Sequence, residues 1–281
     1  MHTKKKISVL MGVYNCESTL RDAVLSIENQ TYTNWELIIC DDGSEDQTFA
    51  IARELAKTDK RIHLLKNRQN MGLNRTLNHC LSVANGDFVA RMDGDDISLP
   101  YRFEKQVQFL ESQSQYSIVS SPMLFFDSEG QWGRNYVKAY PQKEDIVSGN
   151  PICHAPVMMW KSCIDKVGGY SQNARVLRVE DVDLWIKLYL AGFRCYNLSE
   201  PLYMMRNDKN ALNRRKYRYR LNSTYVRLMG CRSMKLSPKY YLVSFKPMLY
   251  GLVPAGIRLM IRRKISYAKG SEKKENTVSN P

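Results

Sequence analysis

The chain has 281 residues, 43% hydrophobic and 25% charged, which is enough apolar material for a catalytic-sized domain with a real core. Seven cysteines, at 16, 40, 80, 153, 163, 195 and 231, form no Cys-x-x-Cys pair and leave one over, which argues against zinc or a disulfide framework and for a reducing compartment. The net charge of +14 sits wholly in the C-terminal segment: residues 206–281 hold 19 Lys and Arg against 3 Asp and Glu, leaving 1–205 at −2, so the body itself does not read as a nucleic-acid binder.

Met1-His2-Thr3-Lys4-Lys5-Lys6 leads straight into Ile7-Ser8-Val9-Leu10, too short an apolar run for a signal peptide, and a cytosolic chain is expected. Ile7 to Tyr14 reads as a strand buried on both faces. Asn15 is expected to cap the next helix, whose Leu20, Ala23, Val24 and Ile27 share one face. Trp35 to Cys40 is the second strand, Asp41-Asp42-Gly43-Ser44 the turn at its end, and Ser44 or Asp46 opens a helix to about Lys57. Arg61 to Leu65 is the third strand. A helix from about Leu73 to Ala84 precedes the fourth, Phe88 to Met92. This alternation predicts a mostly parallel sheet flanked by helices. Pro100 is expected to start a helix carrying Phe103, Val107 and Leu110, and 115–140 reads as strands and turns. The apolar stretch Asn150 to Trp160, with two prolines, predicts an edge strand or an ordered loop. Gly168-Gly169-Tyr170 is a loop, and Glu180 opens a helix stopped by Gly192. A G-x-G-x-x-G fingerprint is absent.

Asp93-Gly94-Asp95-Asp96 places three carboxylates in four residues at a strand end, where open α/β sheets bind ligands. Such carboxylates repel one another and gain from a hard cation, magnesium or manganese, with phosphate oxygens completing its shell. A solvated acidic turn is the simpler alternative. In the helix from Glu180, Asp181 shares a side with Leu184, Trp185 and Leu188 and is expected to lean toward packed structure, as a general base in a partly desolvated cleft would. Asp183 is expected to pair with Lys187 on a solvated face.

Ile7 to Asn15, Asp41-Asp42-Gly43-Ser44, Gly72 to Asn78, Arg91 to Asp96 and Glu180-Asp181 resemble, in order and spacing from about residue 5 to 205, family 2 of the nucleotide-sugar glycosyltransferases. The resemblance implies a GT-A fold in 1–205, with a nucleotide-binding half (1–100) and an acceptor-binding half (101–205). It implies an inverting, metal-dependent displacement at the anomeric carbon. It further implies that Tyr14, Asp42, Arg75 and Asp93 contact the donor nucleotide, that Asp95 with Asp93 holds Mn2+ or Mg2+, and that Asp181 is the base. Glu180 would shape the acceptor pocket, and His154 would be an acceptor-loop or structural residue. UDP is the implied carrier. Two departures stand out: no histidine follows the Glu-Asp pair to complete a metal shell, and Gln131-Trp132-Gly133-Arg134-Asn135 lacks the closing Trp of processive members, so one sugar per encounter is expected.

In the tail, cations alternate with tyrosines at Arg214, Arg215, Lys216, Tyr217, Arg218, Tyr219 and Arg220. The apolar run Tyr240 to Ile261 is broken by Lys246-Pro247, Gly251, Pro254 and Arg258, too interrupted to span a membrane. Ile257, Met260, Ile261 and Ile265 form a helical stripe beside Arg258, Arg262 and Arg263. Residues 206–281 are therefore expected to be a basic helical tail on an anionic membrane surface, disordered from Gly270, with a tail packed on the body as the alternative. The enzyme would then be cytoplasmic and peripheral on the inner face of the cell membrane, with a lipid-diphosphate-linked saccharide of bacterial O-antigen or capsule as acceptor. Nucleic acid is not an expected partner. A nucleic-acid binder built on the Tyr/Arg stretch is the rival reading, but it leaves Asp93, Asp95 and Asp181 unexplained. A sugar nucleotidyltransferase would need a Gly-rich phosphate loop that Met11-Gly12-Val13-Tyr14-Asn15 does not supply, and a catalytically silent sugar binder would not need every acid.

Overall fold

The computed structural model describes residues 4–207 and 217–253. Its first half alternates β1 (Ile7–Val13), α1 (Leu20–Glu28), β2 (Trp35–Asp41), α2 (Thr48–Thr58), β3 (Ile62–Lys66), α3 (Leu73–Val83) and β4 (Phe88–Asp93). Then follow β5 (Ile97–Ser98), α4 (Arg102–Ser112), β6 (Ile118–Ser120), β7 (Met123–Asp127), β8 (Gly130–Arg134), α5 (Lys143–Ser148), β9 (Met158–Trp160) and α6 (Lys161–Lys166). A 3-10 turn (Ala174–Val176), α7 (Glu180–Leu190), β10 (Cys195–Asn197), β11 (Tyr203–Arg206), α8 (Tyr217–Ser233), α9 (Pro238–Val243) and α10 (Lys246–Leu252) complete it.

Seven strands form the main sheet in the order β10-β6-β9-β4-β1-β2-β3, and only β9 runs against its neighbours. Period-2 alternation divides its side chains between two cores: Leu10, Ile38 and Val89 face α3 and α7, while Val9, Met11, Ile39 and Ala90 face α1 and α4. Leu20, Ala23, Val24 and Ile27 of α1 and Phe103, Val107 and Leu110 of α4 are buried as their spacing predicts. A second sheet, β5-β11-β7-β8, stands beside the end of β4.

Several local expectations are corrected. The 150–160 stretch holds no edge strand: Met158–Trp160 is inserted between β4 and β6, and antiparallel pairing lets so short a segment enter from a loop without a crossover helix. Asn15 does not cap α1, which starts five residues later; its Oδ1 accepts from Glu45 N at 3.0 Å and its backbone has φ 52°. Pro100 lies ahead of α4, where its carbonyl accepts from Thr31 N at 3.0 Å. Within the basic segment α8 packs on the body, as the alternative reading of the tail had it, with Val226 and Cys231, and Met234 and Leu236 just after it, in the same buried cluster as the sheet, and buried Arg227 donating to Ile146 O at 2.8 Å. Arg214, Arg215, Lys216, the 257–265 stripe and the stretch from Gly270 lie outside the described residues.

The amino ends of β1 and β2 are fastened by Glu36, 2% exposed, which accepts from Lys6 Nζ and Ser8 Oγ at 2.5 Å each and from Asn85 N at 2.8 Å. Burial alone would raise its pKa, yet these hydrogen bonds and the Lys6 charge bring it below the ordinary 4.5. Glu36→Gln is expected to lower the unfolding free energy at pH 7 by about 1–3 kcal/mol, read from urea melts. A depressed carboxylate contributes fully above pH 4.5 and loses its contribution as pH falls through the folded value, so the gap between the two proteins should close in acid.

Candidate active site

The carboxyl ends of β1, β2 and β4 are level, with Gly12 beside both Cys40 and Asp93, so the turns that follow share one edge of the sheet. Gly94 lets the acid turn close on β1: a Cβ there would lie 2.7 Å from Val13 Cγ1. Within the turn Asp96 is 2% exposed, and its Oδ1 accepts from Arg206 N at 2.7 Å while Tyr203 supplies a side-chain hydrogen bond. Burial first, and then the charges of Asp93 and Asp95, push the Asp96 carboxyl well above the ordinary 3.8. Asp93 is ion-paired through Oδ1 with buried Arg91, and its backbone N donates to Tyr203 Oη at 3.1 Å. Asp95 is partly exposed, and its carbonyl accepts from Arg206 Nε at 3.2 Å.

Asp42 is 5% exposed, and its oxygens accept from Asn67 Nδ2 at 2.8 Å and from the Met71 and Gly72 N–H groups at 2.9 Å each. It thereby fixes the 70–72 loop while also lining a cleft of about 340 Å³. Gly43, at φ 74°, seats this turn against the same loop, where a Cβ would meet the Gln69 and Asn70 backbone at 2.8–2.9 Å. The other wall of the cleft is Leu177, Arg178, Glu180, Arg218 and Tyr219. Tyr14, 41% exposed, sits just past β1, outside the cleft lining, and Arg75 is exposed on α3, also outside it although Gly72, Leu73, Asn74 and Thr76 line it.

Glu180 is 8% exposed, and burial together with the charge of Asp181 raises its pKa above 4.5. Asp181 itself stays partly exposed, whereas Leu184, Trp185 and Leu188 of its helix are fully buried. Its Oδ2 accepts from Asn150 Nδ2 at 3.0 Å and its Oδ1 from Val182 N at 2.8 Å. The expected Asp183–Lys187 pair is absent: Lys187 Nζ donates to Gly169 O at 2.6 Å, and Asp183 Oδ2 is buried without a hydrogen-bond partner. The Asp183 charge still acts on Lys187, but the ammonium is held by the glycine-turn carbonyl.

Tyr170 is 3% exposed, with His154 Nε2 at 2.8 Å from its hydroxyl and the His154 ring edge-on to Trp185. Burial and the charge of Arg91 hold His154 well below 6.5, so the ring is neutral at physiological pH. The Tyr170 hydroxyl is raised chiefly by burial, lowered by Arg91, and raised by Glu180, Asp181 and Asp93. One phenol thus lies within electrostatic reach of both acid sites, which are 88 positions apart between Asp93 and Asp181. Sequence reasoning assigned no part to Arg91, Asn150, Tyr170, Arg178 or Tyr203. For Arg91 a signal was available, since a cation inside a strand buried on both faces needs an anion beside it.

A hard divalent cation fits this donor set only as a shared site. Among the described residues no group of three or more His, Cys, Asp and Glu side chains is arranged to hold a metal. The crowding of negative charge that raises Asp96 nevertheless marks Asp93 and Asp95 as the pole that would take one, with phosphate oxygens and water as further ligands.

Residues 8–163 match the family model described as glycosyl transferase family 2. EpsE of Bacillus subtilis strain 168, which bears a glycosyltransferase name, is 42% identical over 265 residues, 94% of this chain and 95% of its own. The Escherichia coli UDP-Glc:α-D-GlcNAc-diphosphoundecaprenol β-1,3-glucosyltransferase WfaP is 28% identical over 204 residues, 68% of this chain and 73% of its own. Among solved structures, the Pyrobaculum calidifontis mannosyltransferase PcManGT in complex with GDP-Man and Mn2+ superposes with a TM-score of 0.60 at 18% identity, over 89% of this chain and 69% of that one. This chain belongs to glycosyl transferase family 2 and has the GT-A type of fold, a mostly parallel sheet flanked by helices.

Proposed function

We propose that the protein moves one sugar per encounter, with inversion, from a UDP-linked donor to a hydroxyl of a lipid-diphosphate-linked saccharide in bacterial surface polysaccharide synthesis. The observation that carries this reading is one cleft lined both by Gly12, the strand partner of Asp93, and Asp42 from the ligand-binding edge of the sheet and by Glu180, the neighbour of Asp181 on α7. The activity for which WfaP is named supports the donor carrier and the lipid-diphosphate acceptor, and the Mn2+ in the PcManGT complex supports a divalent ion. Such an acceptor places the enzyme on the cytoplasmic face of the cell membrane, with the basic 206–281 segment toward the lipid.

In this reading Asp181 takes the proton of the acceptor hydroxyl, whose oxygen forms the new bond to the anomeric carbon as the bond to the diphosphate oxygen breaks. Asn150, donating to Asp181 Oδ2, fixes the orientation of the base. Glu180 shapes the acceptor pocket, and Tyr14, Asp42 and Arg75 serve the nucleotide, Asp42 through the 70–72 loop that it fixes. Asp95 and Asp93 would hold the cation, which when bound neutralises charge growing on the departing diphosphate.

Asp181→Asn should lower acceptor-dependent release of nucleoside diphosphate by about 10²–10⁴-fold with donor affinity kept, and an undiminished rate in the presence of acceptor removes Asp181 from the role of base. Asp95→Asn should weaken UDP binding in Mn2+ by at least the roughly tenfold that loss of even an outer metal partner costs, while UDP binding in EDTA stays as in the wild type. Calorimetry decides this without turnover. Because Glu180 is raised, its charged form is disfavoured in the fold at neutral pH. Glu180→Gln should therefore raise Tm at pH 7 by about 2–4 °C while impairing transfer, and the gain should vanish below pH 4.5, where the carboxyl is protonated folded or unfolded.

A further inference from the structure

From Tyr217 to Val253 the chain has seven Lys and Arg and no Asp or Glu. Of the three helices in this stretch, α8 is built into the core, whereas α9 and α10 bury no residue of their own. Leu242, Phe245, Leu249 and Leu252 along α9 and α10 are 76%, 38%, 58% and 70% exposed. Ser244 and Phe245 keep right-handed helical angles between the two helices, Phe245 N donates to Leu242 O, and Leu249 N donates to Phe245 O. The 3-4-3 spacing therefore puts all four side chains on one face. Lys239 and Lys246, both exposed and seven residues apart, run along the border of that face.

The opposite side of α10 is held against α8. The Arg220 guanidinium stands 5.5 Å from the Tyr250 ring centroid, and a Cβ on Gly251 would come within 2.9 Å of Tyr217 Cε2. The residues between those contacts, Arg218 and Tyr219, line the cleft with Glu180. The exposed stripe is thus one helix away from the mouth of the cleft. Among the described residues no helix is long and apolar enough to cross a membrane, which leaves an apolar stripe bordered by cations as an element that lies along an interface.

We propose that α9 and α10 are the bilayer contact of this protein. Leu242, Phe245, Leu249 and Leu252 enter the headgroup layer of an anionic membrane, and Lys239 and Lys246 meet its lipid phosphates. The absence of any acid from 217–253 is what selects an anionic surface as the occupant, since a protein partner would be expected to meet some charge of each sign. Binding does not depend on the transferase reading. Its consequence does: the cleft opens beside the leaflet, where a lipid-diphosphate acceptor is anchored.

The test is flotation of the full chain with vesicles of phosphatidylglycerol and phosphatidylethanolamine, and with vesicles of phosphatidylcholine alone. The wild type should bind the anionic vesicles and be released by salt. Leu242→Asp with Leu249→Asp should lower partitioning by about tenfold or more. Lys239→Gln and Lys246→Gln should each lower it by about fivefold on anionic vesicles and leave phosphatidylcholine binding unchanged. UDP binding in Mn2+, retained by all variants, shows that they are folded and reports on the donor site separately from the membrane. Equal flotation of the wild type and the double leucine variant overturns the proposal, and so does a dimer in sedimentation velocity that the leucine substitutions dissociate while vesicle binding is nil.

Discussion

Three carboxylates within four residues can be kept at one strand end only if their charge is relieved, and here it is relieved twice. Asp96 is withdrawn into the protein, raised by burial and by its two neighbours, and converted into a structural acceptor for β11. Asp93 is answered by Arg91 from the strand itself. The turn's remaining charge then belongs to Asp93 and Asp95 at the edge of the sheet. The second sheet has its reason in this arrangement: β11 pairs with β5 immediately after the acid turn, and its Tyr203 and Arg206 supply the hydrogen bonds that hold Asp96 and the Asp93 backbone. Without that clamp, repulsion among the acids would open the turn.

Arg91 also carries the influence of the acid turn inward. It is 6% exposed, it lowers both His154 and Tyr170, and its Nε is buried without a hydrogen-bond partner. A guanidinium so placed is a fixed positive charge in a region where Glu180, Asp181 and Asp93 all contribute negative potential. Burial and, after it, the Arg91 charge keep the histidine neutral. His154 is left as a hydrogen-bond partner of Tyr170 and a ring edge-on to Trp185.

What the sequence made legible follows from periodicity and from crowded charge. Strands buried on both faces read as apolar runs, and α1 and α4 showed their buried faces at helical spacing, because in each case burial repeats with the backbone. The acid turn was legible because like charges do not accumulate without a cause. What escaped depended on distant partners. β9 is three residues long and exists only because β4 and β6 leave a gap for it. Helices α5 and α6 have six residues each, too few to display a period. Lys187 found a carbonyl in the Gly168-Gly169 turn instead of Asp183, and Asn15 found the turn after β2 instead of its own helix. Local rules describe what a side chain can do, and the fold decides which offer is nearest.

The net charge shows the same limit from the other direction. Counted along the chain, the basic C-terminal segment resembles a polyelectrolyte, but in space its cations have different employments. Arg227 is buried and caps the carbonyl of Ile146, and Arg220 lies over Tyr250, where it helps to join α10 to α8. Arg218 faces the cleft. Lys239 and Lys246 remain beside an exposed apolar stripe. A backbone-tracking groove for nucleic acid needs its cations aligned on one continuous surface with aromatic rings open for stacking. Here several are consumed by packing between helices, and the tyrosines nearest them are partners in that packing, so the described part of the segment is better suited to joining the cleft to a surface than to following a strand.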